Sequence, residues 1–338
     1  MAICLHRDGE EDFVVAETVE EALELAKQKS GNHSLEPANL KQDEDALDTW
    51  FSSALWPFAT IGWPDASDPT LGGRYPNDVL VSGFDILFFW DARMMMMGFY
   101  NMGQKPWDTL YLHGLVRDEK GRKMSKSLGN GIDPMDWAER FGADALRFTL
   151  ARGANPGTDL PVGEDHAASS RNFVTKIFNA TKFALLNGAH VGELPAREAR
   201  TDADRWILDR AEEVRAKVDA YLDDYQFAKA NEALYHFAWD EFCDWYIEAA
   251  KPELAAGNLG TMATLKVVLE HILKLLHPFM PFITSELYAA LGHRRQLALR
   301  VWPAADAALH DAEATKAFDA LRSAVDSARS LKSELGLS

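Results

Sequence analysis

Helical periodicity in the second half of the chain is the feature that most constrains its fold. From about residue 165 onward, apolar residues recur at the spacing of amphipathic helices. The stretches with this spacing are Ala168–Leu186, Asp204–Leu222, Phe227–Ala250, Thr261–Leu276, Pro281–Leu291 and Glu313–Leu335. The pattern is interrupted at Gly188, Gly192, Pro195, Pro252, Gly257 and Pro278. Helices in such a series bury their apolar faces against one another, so residues 161–338 are predicted to form an all-α bundle.

The region before the bundle carries a different pattern, in which strands alternate with helices. Val79–Val81 and Leu110–Val116 have the composition of strands, and Gly83 separates the first of them from a helix-length apolar segment. This order predicts an α/β domain over residues 46–160, with ligands at the carboxyl ends of the strands. Residues 1–45 predict a hairpin and then a short helix, which a capping box of Thr18 and Glu21 opens.

Charge and cysteine content narrow the classes of partner. The net charge of −17 disfavours loose binding of nucleic acid but leaves room for a local basic face. Cys4 and Cys243 are far apart and lack metal-ligand spacing, so no metal site is predicted and a reducing cytoplasm fits. The longest apolar stretch, Ile86–Tyr100, contains Asp91 and Arg93 and is shorter than the roughly 20 residues that span a bilayer, so no membrane partner is predicted.

The string Lys123-Met124-Ser125-Lys126-Ser127 is the strongest chemical signal in the sequence. Gly121 precedes it and Gly129-Asn130 follows it. Two ammonium groups three residues apart, flanked by hydroxyls and glycines, suit a loop that closes over a triphosphate and stabilises the leaving pyrophosphate. The alternative for an arbitrary loop of this kind is a solvated basic turn.

This string resembles the KMSKS motif of the class I aminoacyl-tRNA synthetases, and further segments resemble their valyl branch. They are Asp43–Ser53, Gly83–Trp90, His113–Asp118, Arg171–Phe173 with Lys176 and Asn179, Asp244–Glu248 and His277–Phe282. The resemblance covers nearly the whole chain. It implies the second part of a Rossmann-like catalytic domain over residues 46–160, after a connector from an editing-domain insertion over residues 1–45. An anticodon-binding bundle would follow over residues 161–338.

The resemblance also implies roles for individual residues of an active site that uses ATP with Mg²⁺. The resemblance assigns the stabilisation of phosphates to Lys123, Ser125, Lys126 and Ser127. It assigns contacts to ATP or the adenylate to Gly83, Asp85, His113 and Lys126. Trp50, Ile86 and Trp90 resemble walls of the valine pocket. From the residues alone, Asp85 equally suits a helix N-cap, His113 suits a structural strand end, and the three apolar side chains suit a core.

The expected partners are ATP, valine and tRNA(Val). Arg171, Lys176 and Lys182 lie on one predicted helix, where Arg171 and Lys182 share a face and Lys176 lies to the side. They are candidates for tRNA backbone contacts, and a solvated helix face is the alternative.

The His-x-Gly-His motif of the family does not occur in the sequence. We therefore expect little adenylate formation or editing by this chain alone, and a separate catalytic half is a possible partner. A truncated or split paralogue that binds tRNA or a partner through its bundle is the second hypothesis. An isoleucyl-type fragment is a third, which the two pocket strings disfavour.

Overall fold

The computed structural model describes residues 2–7, 10–125, 127–189 and 193–336. By its internal contacts the chain divides into two compact units. The first comprises residues 1–77 and 88–108, and the second comprises residues 78–87 and 109–338. Each unit is described by itself.

The first unit begins with a three-stranded antiparallel sheet in the order β2-β1-β3. The strands are β1 (Ala2–Arg7), β2 (Glu10–Val15) and β3 (Leu40–Gln42). The predicted hairpin is present, with Asp8 and Gly9 outside the described residues. Helix α1 (Val19–Ser30) begins as predicted at Thr18, whose hydroxyl accepts from the Glu21 amide at 3.2 Å. The Glu21 carboxylate accepts from the amide of Glu17 rather than Thr18.

Helices α2 (Thr49–Ala59), α3 (Pro69–Arg74) and α4 (Ala92–Met102) complete the first unit. Asp48 caps α2, as its carboxylate accepts from the Trp50 amide at 3.1 Å. The small core between these helices is centred on Phe58, which packs edge to face against Trp63 and Tyr75. The segment before α4 is a π-helix, Leu87–Asp91, rather than the α-helical start that the sequence predicts.

The second unit contains the remaining strands and the loop that follows them. Strands β4 (Asn77–Gly83) and β5 (Trp107–His113) pair with each other, and β6 (Val116–Arg117) pairs in parallel with β7 (Leu160–Pro161). Leu110–Val116 is thus a strand with a break at Gly114-Leu115. Helices α5 (Pro134–Phe141) and α6 (Ala143–Gly153) lie in the chain between β6 and β7.

The bundle has the helical boundaries that the periodicity predicts, to within a few residues. Its helices are α7 (Glu164–Leu186), α8 (Asp202–Asp223), α9 (Phe227–His236), α10 (Ile247–Ala255), α11 (Leu259–Leu276), α12 (Pro281–Ala290) and α13 (Ala312–Glu334). A π-helical segment, Phe237–Tyr246, joins α9 to α10. Gly188 and Gly257 end helices in the left-handed conformation, at φ values of 83° and 78°. Gly192 lies outside the described residues.

The prediction of a helix break at Pro252 is wrong. Pro252 lies inside α10, which ends at Ala255. Proline removes one amide donor and crowds the preceding turn, and here the helix continues for only three residues beyond it, to Ala255.

The core of the bundle is large and carries a buried polar network. Trp206 and Phe173 are fully buried in it, and the Trp206 ring stacks on Phe318 at 4.0 Å. Asp204 is buried beside this core and accepts hydrogen bonds from Tyr246 (2.7 Å), Thr261 (2.9 Å) and Thr201 (2.8 Å). Three hydroxyl donors on one buried carboxylate satisfy its charge, so the network links α8 to the π-helical segment Phe237–Tyr246 and to α11.

Helix α6 is tied to the corner between α11 and α12 by two side chains. Arg147 donates to the carbonyls of Pro278 (3.0 Å) and Phe279 (3.2 Å). Asp144 accepts from the amides of Phe282 (3.3 Å) and Ile283 (2.6 Å), and so caps α12 from another helix. Among the helices described, none is long and apolar enough to cross a bilayer.

Candidate active site and RNA-binding face

Asp118 and Asn130 close the signature loop, which we define as residues 118–130. The Asn130 side chain accepts from the Ser125 amide at 3.0 Å and donates to Asp118 at 2.9 Å and to the Lys123 carbonyl at 3.3 Å. Asp118 in turn accepts from the Arg122 amide at 2.8 Å. Lys123 and Ser125 of the predicted phosphate-binding string are therefore both held to the buried Asp118 carboxylate through the Asn130 side chain.

The string itself is presented to solvent by this arrangement. Lys123 is exposed, and its backbone forms an isolated antiparallel bridge with Arg117. Ser125 is half-buried, and its hydroxyl lies 3.2 Å from that of Ser127. Lys126 lies outside the described residues. The structure thus brings Lys123, Ser125 and Ser127 together on one loop, as the sequence predicts.

The hydrogen bond from Asn130 is the main cause that lowers the pKa of Asp118 from 3.8 to about 2, and bonds from Arg122 add to it. A carboxyl group whose pKa is depressed in the folded state stabilises that state above its ordinary pKa, and the contribution is lost as the pH falls through the folded value. The Asp118 carboxyl that anchors the loop is therefore ionised above about pH 4 and is half protonated at about pH 2, and its contribution to stability falls over this range.

Replacing Asn130 by alanine should raise the pKa of Asp118 towards 3.8, because the largest stabilising bond to the ionised form is removed. A carbon-detected NMR titration of the Asp118 carboxyl from about pH 6 down to about pH 1, which brackets both pKa values, measures this shift. An unchanged titration curve in the variant would show that Asn130 does not anchor the loop.

The base of the loop depends on a close approach between two backbone segments. A Cβ on Gly114 would lie 2.0 Å from the Thr158 carbonyl oxygen, so only glycine fits there. Asp159 accepts from the Leu115 amide at 2.8 Å and pairs with Arg117. Asp159 was missed by the sequence analysis, because its partners lie more than forty positions earlier and no local pattern marks it.

Gly83, Asp85 and His113, the predicted adenylate-contacting residues, come together at the ends of β4 and β5. A Cβ on Gly83 would lie 2.7 Å from the Asp85 carboxylate and 3.6 Å from the His113 ring. His113 donates from Nδ1 to the Gly114 carbonyl at 2.8 Å, which agrees with a structural role at the strand end. Gly83 rather than Asp85 is the N-cap, so the N-cap reading of Asp85 is wrong and its exposed carboxylate is left for other partners.

The predicted pocket residues Trp50, Ile86 and Trp90 are all half-buried. Trp50 lies under the Arg93 guanidinium at 4.8 Å, a cation–π contact that fixes its ring. Trp50 and Trp90 belong to the first unit and Ile86 to the second, so their role as walls of one pocket stays a prediction.

A cavity of about 550 Å³ lies beside the loop, between Asp118, Asn130 and Arg140. Its arginines are already paired, because Arg140 bonds Glu164 at 2.7 Å and Arg122 bonds Asp118 at 2.8 Å. Lys120 also lines the cavity and has no ion pair among the described residues, whereas an anion that binds either arginine has to compete with a carboxylate.

The three predicted RNA contacts on α7 differ in their surroundings. Arg171 and Lys182 are exposed. Lys176 is half-buried, bonds Asp244 at 2.6 Å and lies 4.8 Å from the centre of the Trp239 ring. Arg171 and Lys182 are accordingly the accessible cations of this face, whereas a phosphate has to compete with Asp244 for Lys176.

Comparison with known families agrees with this architecture. The model of the tRNA synthetases class I (I, L, M and V) matches residues 3–162, and that of the anticodon-binding domain of tRNA ligases matches residues 204–338. The chain therefore belongs to the class I tRNA synthetases, with part of the α/β catalytic domain followed by the helical anticodon-binding domain.

Two valine–tRNA ligases are among the curated proteins that are similar to this chain. That of Deinococcus radiodurans is 57% identical over 330 residues, which cover 89% of this chain and 36% of the relative. That of Corynebacterium diphtheriae is 61% identical over 294 residues, which cover 80% of this chain and 32% of the relative. The chain thus spans about a third of the length of the curated relatives that it matches.

Solved structures agree at the level of the fold. The LeuRS–tRNA–LeuAMS ternary complex from Agrobacterium radiobacter has a TM-score of 0.69 at 20% identity, and the match covers 91% of this chain and 41% of that chain. Methionyl-tRNA synthetase of Mycobacterium tuberculosis bound by methionyl-adenylate has a TM-score of 0.61 at 22% identity, with 76% and 53% covered.

Proposed function

We propose that this chain supplies the phosphate-binding loop and the anticodon-binding domain of a cytoplasmic valine–tRNA ligase. The activity activates valine with Mg²⁺-bound ATP to valyl-adenylate and transfers the valyl group to the 3′ end of tRNA(Val). The observation that carries the proposal is the string Lys123–Ser127, held by Asp118 and Asn130, in a chain whose curated relatives are valine–tRNA ligases.

In this proposal the chain's own residues position and stabilise the phosphates rather than form covalent intermediates. The ammonium groups of Lys123 and Lys126 stabilise the charge that grows on the leaving pyrophosphate, and the Ser125 and Ser127 hydroxyls donate to phosphate oxygens. Asp85, beside Gly83 and His113, accepts from ribose hydroxyls of the adenylate. Trp50, Ile86 and Trp90 hold the valine side chain.

The bundle binds tRNA(Val) through the face of α7 that carries Arg171 and Lys182. Side-chain cations that neutralise phosphates release the counterions held by the nucleic acid, so the affinity for tRNA at this face falls as the salt concentration rises. We keep the domain limits 1–45, 46–160 and 161–338 as part of the proposal.

A chimeric ligase tests the catalytic part of the proposal. This chain replaces the matching 36% of the Deinococcus radiodurans ligase, and ATP–pyrophosphate exchange is measured with valine, isoleucine and threonine. We expect exchange with valine well above that with isoleucine. An inactive but folded chimera that still binds tRNA would instead favour a paralogue that uses its bundle without catalysis.

The isolated chain provides a second assay. Exchange is measured with the chain alone and again after addition of the remaining two thirds of the relative as a separate polypeptide. The comparison shows whether a separate catalytic half is a functional partner.

A further inference from the structure

Two adjoining cavities lie where the end of α12 meets the segment that follows it. One, of about 200 Å³, is lined by residues that include Lys274, His277 and Arg300. The other, of about 260 Å³, is lined by residues that include His293, Arg294 and Arg295. The two share Leu297 and Ala298 in their walls, so they adjoin, and we call the pair the cationic groove.

The lining of the cationic groove is opposite in sign to the chain as a whole. The net charge of the chain is −17, yet no carboxylate lies among the described residues that line either cavity. Arg294 and Arg295 are exposed, and within the described residues neither forms an ion pair with the chain. Their positive charges are therefore available to an anion from solution.

The inner wall of the groove is held in place by stacked rings. His293 lies flat on Tyr288 at 3.9 Å with 8° between the ring planes, and its Nε2 is fixed by Glu270 at 2.7 Å. The Arg300 guanidinium lies over the Tyr288 ring at 5.7 Å. Tyr288 is buried, so its ring is not open to stack on a base.

Arg300 is only half-exposed, and its Nε is buried without a hydrogen-bond acceptor in the described structure. An anion bound in the groove offsets the charge of this half-buried guanidinium, although the Nε itself is closed to solvent. The charge of Arg300 therefore adds to those of Arg294 and Arg295.

We propose that the cationic groove binds phosphate groups. Each cavity is several times larger than the ~30 Å³ that a water molecule occupies, which leaves room for a phosphate with part of its hydration. Arginine matches phosphate in geometry and charge. Because the Tyr288 ring is covered, it offers no stacking surface to a base. The phosphates belong to a nucleic-acid backbone or to a free phosphoanion, and the proposal does not depend on the ligase assignment.

The test uses the complete chain with the double substitution Arg294→Glu and Arg295→Glu. Both side chains are exposed, so the fold is retained, which circular dichroism checks. Binding of inorganic phosphate is measured by isothermal titration, and binding of labelled tRNA by anisotropy over a range of salt concentrations. We expect the affinity for at least one probe to fall about tenfold or more, and a tRNA effect to reduce the salt slope by about two.

The matched control carries Lys316→Glu and Lys332→Glu, the same change in charge at two exposed positions of α13. Weaker tRNA binding in the groove variant but not in the control assigns the groove to a nucleic-acid backbone. Weaker phosphate binding with unchanged tRNA binding assigns it to a free phosphoanion. The proposal is overturned if groove variant and control bind both probes alike, or if the unsubstituted chain binds neither. Valine-dependent exchange by the chimera is a separate readout, so failure here leaves the ligase proposal standing.

Discussion

Replacing Asn130 by alanine should lower valine-dependent exchange by the chimeric ligase about ten- to a hundredfold. Its side chain makes three hydrogen bonds, and without it the Ser125 amide and the Lys123 carbonyl lose their partner. A loop that is no longer preorganised has to be ordered during the reaction. A cost of about 1.4–2.7 kcal/mol, equal to one or two lost hydrogen bonds, corresponds to this fall in rate.

The matched control is Asn155→Ala, because Asn155 is an exposed loop residue whose backbone, rather than its side chain, makes the hydrogen bonds found in the described structure. The rate constant and the KM for ATP are measured for both variants, together with thermal stability. A normal rate in Asn130→Ala, in a protein whose Asp118 pKa has risen, would mean that anchoring of the loop does not limit activation.

Replacing Trp206 by alanine should destabilise the bundle by roughly 3–5 kcal/mol, the cost of deleting a large aromatic side chain from a packed core. Trp206 is fully buried and loses its stacking on Phe318 and the nearby Arg322, 5.6 Å from its ring centre. Urea unfolding followed by the helical circular dichroism signal measures the effect.

Two further variants test whether the loss of stability comes from the packing of a buried tryptophan. Trp206→Phe keeps most of the packing and removes an indole N–H that meets no acceptor in the described structure, so its cost should be far smaller. Trp56→Ala removes the same side chain type at a position that is 64% exposed, and it should change stability little. Equal losses at Trp206 and Trp56 would contradict the position of Trp206 in the core.

The bundle was predictable because amphipathic spacing is a local property of the sequence. The boundaries of α8 and α11 lie within two residues of the predicted stretches. The cap of α12 was not predictable, since Asp144 comes from a helix 138 residues earlier. The π-helical segments were missed for a related reason, because their apolar spacing differs little from that of an α-helix.

The candidate site also has one part that the local sequence predicts and another that depends on contacts between residues distant in sequence. The string Lys123–Ser127 is contiguous, so the sequence alone shows it, whereas the adenylate contacts of Gly83, Asp85 and His113 were implied by the family resemblance and stay a prediction. The side chains that hold the loop were harder to find. Asn130 and Asp118 stand in the quoted strings, but nothing local says that their side chains meet twelve positions apart. The cationic groove was missed as well, and the run His293-Arg294-Arg295 after Gly292 was its one visible signal.

The ties of Arg147 and Asp144 to the corner between α11 and α12 have a mechanical consequence. Arg147 binds two carbonyls of the corner, and Asp144 binds two amides at the start of α12. A rotation or translation of α6 relative to the corner therefore breaks hydrogen bonds to both groups. Helix α6 runs directly to Gly153, where Leu160 of β7 fills the space that a Cβ would need, and β7 pairs with the strand that opens the signature loop. We therefore expect a displacement of α11 and α12 to shift the base of that loop through α6 and β7.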